Sequence, residues 1–290
     1  MKSLVFALSL LAILGCSTSC SQNQISSSDS DNVLNDETSN EGYDEKLNES
    51  TLNNDYYRGF SMDNVLRDEE LGLIHYNVYV PESYDGTKPY ALYFTLPGYQ
   101  GLYRFGVGAS LETEDFAFEA MNYVSDMIIV APQLNDWGLT SSNQTISLVH
   151  YFLDNYNIDK NRVYANGYSG GGETMSGAMG IEPSLFSAYL HCSSTWDGDL
   201  NVLVDSETPV YIVIGENDEY YGSEPSIETY NQIVSLYERK GLSQDRINEL
   251  VVLDVKNSEY FTSQGMNNQH GGGGYLFSRD SEIMGWLFSH

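Results

Sequence analysis

The chain has few basic residues. Its 13 Lys and Arg stand against 41 Asp and Glu, which gives a formal net charge of -28 at pH 7. A surface this acidic repels the phosphates of nucleic acids and the headgroups of anionic membranes. We therefore expect no nucleic-acid partner and no membrane contact through a basic patch, and a neutral or cationic substrate fits the charge better.

Cysteine is scarce as well. Of the three cysteines, Cys16 and Cys20 lie near the N-terminus and Cys192 is alone in the body of the chain. An internal disulfide framework is therefore excluded. Cys192 follows the stretch SAYLH, which predicts a small buried core residue, with a reactive thiol as the alternative.

Metal-binding motifs are missing. The sequence has no HExxH and no paired CxxC, and the DGD at Asp197–Asp199 is too short to indicate a calcium loop. We expect neither a metal nor an organic cofactor.

The first residues have the pattern of an export signal. Lys2 precedes the apolar stretch LVFALSLLAILG, which is too short to span a bilayer comfortably, and Cys16 follows the small Gly15. ILGC resembles the lipobox of bacterial lipoproteins, in which cleavage before the cysteine leaves its thiol to carry lipid. The resemblance implies lipidation at Cys16 and an exported protein, lipid-anchored to the membrane at the bacterial cell surface. An ordinary secretory signal is the alternative, and Cys20 is a weaker candidate because STS precedes it.

Residues 21–55 are rich in Ser, Asn, Asp and Glu, with nine acidic residues against the single Lys46. Such a segment cannot offset its ordering entropy by burial, which predicts a disordered linker, with an acidic docking tail as the alternative. The predicted organisation is a signal and anchor region at 1–20, this linker at 21–55, and one folded domain at 56–290.

Strand and helix patterns alternate through the folded domain. The strand patterns are LIHYNVYVPESY, YALYFTLPG, DMIIVAPQ, RVYANG, AYLHCSS, PVYIVIGEND and ELVVLDV. The helix patterns are LETEDFAFEAMNYV, NQTISLVHYFLDNY, ETMSGAM, SIETYNQIVSLYERKG and DSEIMGWLFS. This order predicts an α/β fold with a mostly parallel central sheet and helices on both faces, whose ligands bind at the carboxyl ends of the strands.

One serine lies in a glycine-rich turn. Gly167, Ser169 and Gly171 form G-x-S-x-G between a strand pattern at Arg162–Asn166 and a helix that we expect to start near Gly170. This strand, turn and helix form the context of a nucleophile elbow, where a side chain beside the serine would clash with the backbone. A glycine-rich turn made only for packing is the alternative.

A serine nucleophile needs a base and an acid that orients the base, and in this fold the chain order is serine, acid, histidine. Asp218 follows the buried strand pattern VYIVIG and is our candidate acid, with Glu216 and Glu219 as competitors. His270 lies in the glycine-rich stretch NNQHGGGGY, for which we expect a flexible loop, and is the candidate base. His191 is the rival histidine and would require an unusual chain order.

The oxyanion of an acyl-transfer intermediate needs two N–H donors. One is expected from Gly170, the residue after the serine, and the other from the turn TLPGYQG, where Tyr99 follows Pro97 and Gly98. A plain tight turn is the alternative for this second stretch.

The stretch NQTISLVHYFLDNYNIDKNRVYANGYSGGG looks like the nucleophile region of α/β-hydrolases of the polyhydroxybutyrate depolymerase and feruloyl or acetylxylan esterase type. It is similar, less closely, to the catalytic domain of prolyl oligopeptidase-like peptidases. The resemblance implies an α/β-hydrolase fold and a serine hydrolase, with Ser169, Asp218 and His270 as catalytic residues and Tyr99 and Gly170 as oxyanion donors. Pro97 and Gly170 differ from the residues that these families usually have at those positions, and the difference bears on which substrate the protein takes.

The substrate is less defined. Trp137, Tyr220 and Tyr221 fall on predicted strand-end loops and could stack on a sugar or a phenolic acyl group, or simply pack. The leading hypothesis is an exported carboxylic ester hydrolase, acting on polysaccharide-linked esters. A serine peptidase is second, although the sequence identifies no additional carboxylates near the site. A surface binding protein that has kept the fold without the chemistry is third.

Overall fold

The computed structural model describes residues 50–104, 108–135 and 137–290. These residues all fall within one compact unit. The predicted lipidation site Cys16, the signal and most of the predicted linker lie outside the described residues. The end of that linker is described, and its residues Ser50–Thr51 pair with a strand of the folded domain.

Ten strands of the described chain form one sheet. In chain order they are β1 Ser50–Thr51, β2 Tyr56–Tyr57, β3 Phe60–Asp68, β4 Gly72–Tyr79, β5 Tyr90–Leu96, β6 Met127–Gln133, β7 Ile158–Tyr168, β8 Ala188–Cys192, β9 Val210–Gly215 and β10 Val251–Lys256. Across the sheet the order is β1-β3-β4-β6-β5-β7-β8-β9-β10, and β2 pairs with β3.

The sheet is parallel from β6 to β10 and antiparallel at the edge formed by β1 to β4. The predicted mostly parallel sheet is therefore confirmed, and the fold is that of the α/β-hydrolases. The sequence does not predict β3, because this strand carries a buried Asn64 and shifts register between Ser61 and Asn64. The Asn64 amide donates to the carbonyls of Ser61 and Tyr76, so the structure satisfies this buried polar group within the strand.

Helices cover both faces of the sheet. They are α1 Ala109–Thr113, α2 Phe116–Ala120, α3 Leu139–Asn155, α4 Gly170–Met179, α5 Leu200–Ser206, α6 Glu224–Lys240, α7 Gln244–Leu250, α8 Ser258–Thr262, α9 Gln269–Leu276 and α10 Ser281–Leu287. On β5, Leu92 and Phe94 pack into a cluster with α3, α4 and α6, whereas Ala91 and Tyr93 pack into a second cluster with α2 and α10. A strand buried on both sides therefore serves two cores, and this explains its continuous apolar sequence.

One predicted helix, over residues 111–124, is in fact two. Glu114 ends α1 with an extended backbone, at φ -134° and ψ 150°, and α2 begins at Phe116. The Glu114 carboxyl accepts the backbone N–H of Gly98, a contact that depends on the tertiary fold and not on local helix propensity.

The predicted flexible loop around His270 is wrong, because these residues form α9. Asn268 caps this helix by accepting the N–H of Gly271. Its glycines allow close packing: a Cβ on Gly273 would lie 2.7 Å from Ser193 Oγ, and one on Gly274 would lie 3.0 Å from Tyr168 Cζ. A run of glycines that predicts flexibility therefore produces a helix packed tightly against the end of the sheet.

In the part of the chain that the structure describes, no helix combines the length and the apolarity needed to cross a membrane.

Candidate active site

Ser169 lies at the sharp turn between β7 and α4. Its backbone has φ 53° and ψ -124°, a conformation that costs a residue with a Cβ on the order of 1–3 kcal/mol. The turn is held in place because the Ser169 N–H donates to the Cys192 carbonyl of β8 at 3.0 Å and Ser194 Oγ donates to the Ser169 carbonyl at 2.7 Å. The helix starts at Gly170, as the sequence predicts.

The glycines around the serine leave room for the neighbouring backbone. A Cβ on Gly171 would lie 2.3 Å from the Leu96 carbonyl oxygen and 2.4 Å from that of Pro97. A Cβ on Gly167 would lie 2.5 Å from the Gly171 carbonyl oxygen. The G-x-S-x-G spacing is thus required by contacts between β5, β7 and α4.

The structure brings the three predicted triad residues into one hydrogen-bonded chain. Ser169 Oγ lies 3.0 Å from His270 Nε2, and His270 Nδ1 lies 2.9 Å from Asp218 Oδ2 and 3.1 Å from Asp218 Oδ1. These contacts are consistent with a tautomer in which Nδ1–H donates to the carboxylate and Nε2 accepts from the serine hydroxyl.

The loop after β9 fixes Asp218. Its side chain is fully buried, and Oδ1 accepts the backbone N–H groups of Tyr220 and Tyr221 at 3.0 and 2.9 Å. The competing acids have other partners. Glu216 accepts the N–H and hydroxyl of Ser258, and Glu219 accepts the N–H groups of Gln269 and His270. Glu219 therefore places a negative charge at the N-terminus of the helix that carries His270.

Three tyrosines surround the His270 ring. Tyr168 stacks on it at a centroid distance of 5.5 Å and 28°, and its hydroxyl donates to the His270 carbonyl at 2.8 Å. Tyr220 and Tyr221 approach the same ring at 5.3 and 5.5 Å. The imidazole is thus enclosed by aromatic rings, and 17% of its side-chain surface is exposed.

His191, the rival histidine, belongs to a different network. It is buried in β8, where its Nδ1 lies 2.7 Å from the Tyr189 hydroxyl, and burial lowers its pKa to about 4. It therefore stays neutral at physiological pH, and His270 is the histidine that reaches Ser169.

The two predicted oxyanion donors are close together. A Cβ on Gly170 would lie 3.2 Å from the backbone nitrogen of Tyr99 and 3.1 Å from its Cα. Gly170 is the first residue of α4, where backbone N–H groups have no partner within the helix and the helix dipole favours negative charge. The turn after β5 and the start of α4 thus meet beside Ser169.

The predicted aromatic residues differ in their placement. Tyr220 is 74% exposed and lies at the mouth of the site beside His270. Tyr221 is half-buried, and its hydroxyl lies near Ser169 and donates to Glu173 Oε1 at 3.0 Å. Trp137 is 52% exposed, and its side chain bonds to Asp197.

Glu173 is a site residue that the sequence reading missed. It lies on the first turn of α4 and is 9% exposed, and burial raises its pKa. It lines a cavity of about 410 Å³ together with Asp197, whose pKa burial also raises. The signal was available in SGGGE, an acidic residue one helical turn after the serine.

Within the described ranges, no three His, Cys, Asp or Glu side chains are placed to hold a metal ion.

The site is a serine, a histidine and an aspartate in hydrogen-bonding order on a chain with the α/β-hydrolase fold. Residues 133–242 match the model of the prolyl oligopeptidase family. No curated protein matches the chain.

Solved structures of two kinds are similar to this chain. One is a thermostable esterase, with a TM-score of 0.65 and 20% identity over 80% of this chain and 63% of that one. Another is the feruloyl esterase module from Clostridium thermocellum complexed with sinapinate, with a TM-score of 0.53 and 13% identity over 79% of this chain and 87% of that one. A third is oligopeptidase B from Leishmania major, with a TM-score of 0.51 and 13% identity over 79% of this chain and 36% of that one. The chain spans less than two thirds of the length of the first and the last of these.

Proposed function

We propose that the protein is a serine hydrolase that cleaves carboxylic esters through an acyl-enzyme. The observation that carries the proposal is the continuous path from Asp218 through His270 to Ser169, with each contact between 2.9 and 3.1 Å. The crowded turn that directs the serine hydroxyl to His270 and the adjacent backbones of Tyr99 and Gly170 support it.

In the first step, Ser169 Oγ attacks the ester carbonyl carbon while its proton passes to His270 Nε2. Asp218 stabilises the imidazolium through Nδ1–H, and the N–H groups of Tyr99 and Gly170 stabilise the oxyanion. The bond to the alcohol then breaks, and His270 gives its proton to the leaving oxygen. In the second step, His270 takes a proton from water, the resulting hydroxide attacks the acyl carbon, and Ser169 leaves with its proton restored.

We propose a substrate whose ester is linked to a polysaccharide or a similar extracellular polymer. The similarity to a feruloyl esterase module complexed with sinapinate supports this choice. The exposed ring of Tyr220 at the mouth of the site also supports it, since aromatic rings of this kind stack on sugars and phenolic groups. In the same proposal the protein is exported and held at the cell surface by lipid on Cys16.

A serine peptidase is the second candidate. The match of residues 133–242 to the prolyl oligopeptidase family favours it. So does the cavity lined by Glu173 and Asp197, because carboxylates in a cavity one helical turn from the nucleophile are suited to the positively charged group of a peptide.

The test uses the purified full chain in mild detergent, with a fluorescent fluorophosphonate probe and p-nitrophenyl acetate. Ser169→Ala is expected to abolish labelling and to lower kcat/KM by about 10⁴-fold or more. The control is Ser147→Ala on α3, which removes a hydroxyl bonded to Asp68 outside the site and leaves both readouts unchanged.

Peptidyl p-nitroanilides assayed beside feruloyl and acetyl esters of xylan oligosaccharides distinguish the two candidates. A higher kcat/KM for the anilides than for the esters would replace the esterase proposal with the peptidase proposal. If a folded wild-type protein shows neither labelling nor hydrolysis, both proposals fail, and a binding protein without the chemistry becomes the explanation.

A further inference from the structure

Glu114 lies directly behind the turn that carries Tyr99. The backbone N–H of Gly98 donates to the Glu114 carboxyl, and Thr113 Oγ1 donates to its Oε2 at 2.6 Å. The approach is close, since a Cβ on Gly98 would lie 3.4 Å from Glu114 Oε1 and 3.3 Å from Tyr168 Cε1. Glu114 and the Tyr168 ring therefore form the wall against which this turn rests.

The same side chain contacts the helix that carries His270. A Cβ on Gly274 of α9 would lie 3.2 Å from Glu114 Cγ and 3.1 Å from Tyr168 Cε1. The Tyr168 hydroxyl donates to the His270 carbonyl. Glu114 thus lies between the turn Pro97–Tyr99 and α9.

We propose that Glu114 is a positioning residue for the acyl-transfer reaction. Its carboxylate holds the turn Pro97–Tyr99, so that the Tyr99 N–H stays beside that of Gly170, and it links this turn to the helix of His270. The inference rests on the proposed function, because the turn has a catalytic role only if Ser169 is the nucleophile.

The electrostatics make this role dependent on pH. Burial raises the pKa of Glu114 to about 7, and the charge of Asp115 adds to the rise, while the bonds from Thr113 and Gly98 and the charge of His270 oppose it. Tyr168 faces Glu114 from β7, and Arg279 and Arg58 pair with Asp115 from the other side. The group therefore loses its charge as the pH falls through neutrality.

A protonated carboxyl accepts the Gly98 N–H less strongly than a carboxylate does, so the turn is held less firmly in acid. The general base must also be neutral for the reaction to proceed. The acid limb of kcat/KM is therefore expected to carry two protonations, one on the base and one on Glu114. Replacing the carboxyl by an amide removes the second.

The experiment measures p-nitrophenyl acetate hydrolysis by the full chain from roughly pH 5.5 to 9, a range that spans the pKa of Glu114 at about 7. Log kcat/KM for the wild type is expected to fall with a slope steeper than about one where Glu114 becomes protonated, and to end up to about tenfold lower relative to its alkaline plateau than that of Glu114→Gln, whose acid limb keeps a slope of about one. Glu114→Ala loses the acceptor altogether and is expected to lower kcat about tenfold with KM within about twofold, because oxyanion donors act in the transition state. Glu112→Gln, on the exposed side of α1, serves as the matched control and keeps the wild-type profile.

A slope of about one for both the wild type and Glu114→Gln would overturn the inference while the proposed function stands. An unchanged kcat in Glu114→Ala would overturn it as well. Should Glu114→Ala fail to fold, the nearly isosteric Glu114→Gln decides the question through its slope. Absence of probe labelling in the wild type overturns the proposed function itself, before the Glu114 variants are compared.

Discussion

Individual glycines have opposite roles in this chain, and their surroundings decide which role each has. Gly171 lies where β5 approaches the start of α4, so a Cβ there would meet the carbonyl oxygens of Leu96 and Pro97. Gly285 lies in α10 with no atom within 4 Å of a Cβ position. The first glycine is required by packing, whereas the second only adds conformational entropy to the unfolded chain.

These two positions give a matched pair of substitutions. Gly171→Ala is expected to lower the free energy of unfolding by about 3 kcal/mol or more and to abolish probe labelling, because the backbone of the nucleophile turn must move. Gly285→Ala is expected to raise the free energy of unfolding by about 0.5–1 kcal/mol and leave labelling intact. Urea unfolding and probe labelling check both, and a harmless Gly171→Ala would contradict the packing explanation.

The candidate triad could be predicted because Ser169, Asp218 and His270 occupy positions that strand order and chain order define. The roles of Glu114 and Glu173 could not, because they depend on partners in other elements, although SGGGE places Glu173 one helical turn after the serine. Glu114 bonds to Gly98 across a helix break, and Glu173 accepts from Tyr221, 48 residues away. Sequence patterns report the local period of apolar residues and carry no information about such contacts.

At the scale of elements, a half-buried cation joins α10 to the edge of the sheet. Lys256 at the end of β10 lies 2.8 Å from Asp254 Oδ2 and 3.4 Å from Asp280 Oδ2, and Asp280 also caps α10. Tyr211 donates to Asp254, and Tyr260 donates to Asp280. Burial alone would lower the pKa of Lys256, yet the two carboxylates raise it.

Lys256→Met is expected to lower the free energy of unfolding by about 2–4 kcal/mol, because two half-buried carboxylates then face each other without a cation. Arg246→Met is the control. It removes two ion pairs, to Glu207 and Glu249, at a more exposed site and is expected to cost less than about 1 kcal/mol. Urea unfolding of both variants provides the comparison, and equal losses would show that burial of the network has no special effect.

The elements with strong apolar patterns were also the ones that the sequence predicted. The parallel strands from β5 to β10 are rich in apolar residues, most of them buried, and each was expected. Within the antiparallel edge β4 was predicted, whereas β3 was missed because Asn64 interrupts its pattern, and α9 was missed because four glycines in a row predict a loop. In both cases tertiary packing overrides local preference.

For the whole molecule, charge restricts how the protein can be held at a membrane. A net charge of -28 repels anionic lipid headgroups, so the protein gains no electrostatic attraction to add to an anchor. Stable attachment by lipid alone requires more than one acyl chain, because a single chain gives only reversible binding. The proposed anchor at Cys16 must then supply the whole attachment through its lipid.

Cys16→Ser is therefore expected to lose incorporation of an alkyne-tagged fatty acid and to move the protein from the membrane fraction to the soluble fraction. Cys20→Ser is the matched control and keeps both the label and the membrane association. A wash in about 1 M salt, where charge interactions are screened within about 3 Å, is expected to leave the wild type on the membrane. Release of the wild type by salt, or retention of Cys16→Ser on the membrane, would mean that the attachment is not a lipid on this cysteine. An electrostatic or protein-mediated contact would then have to overcome the acidic charge of the chain.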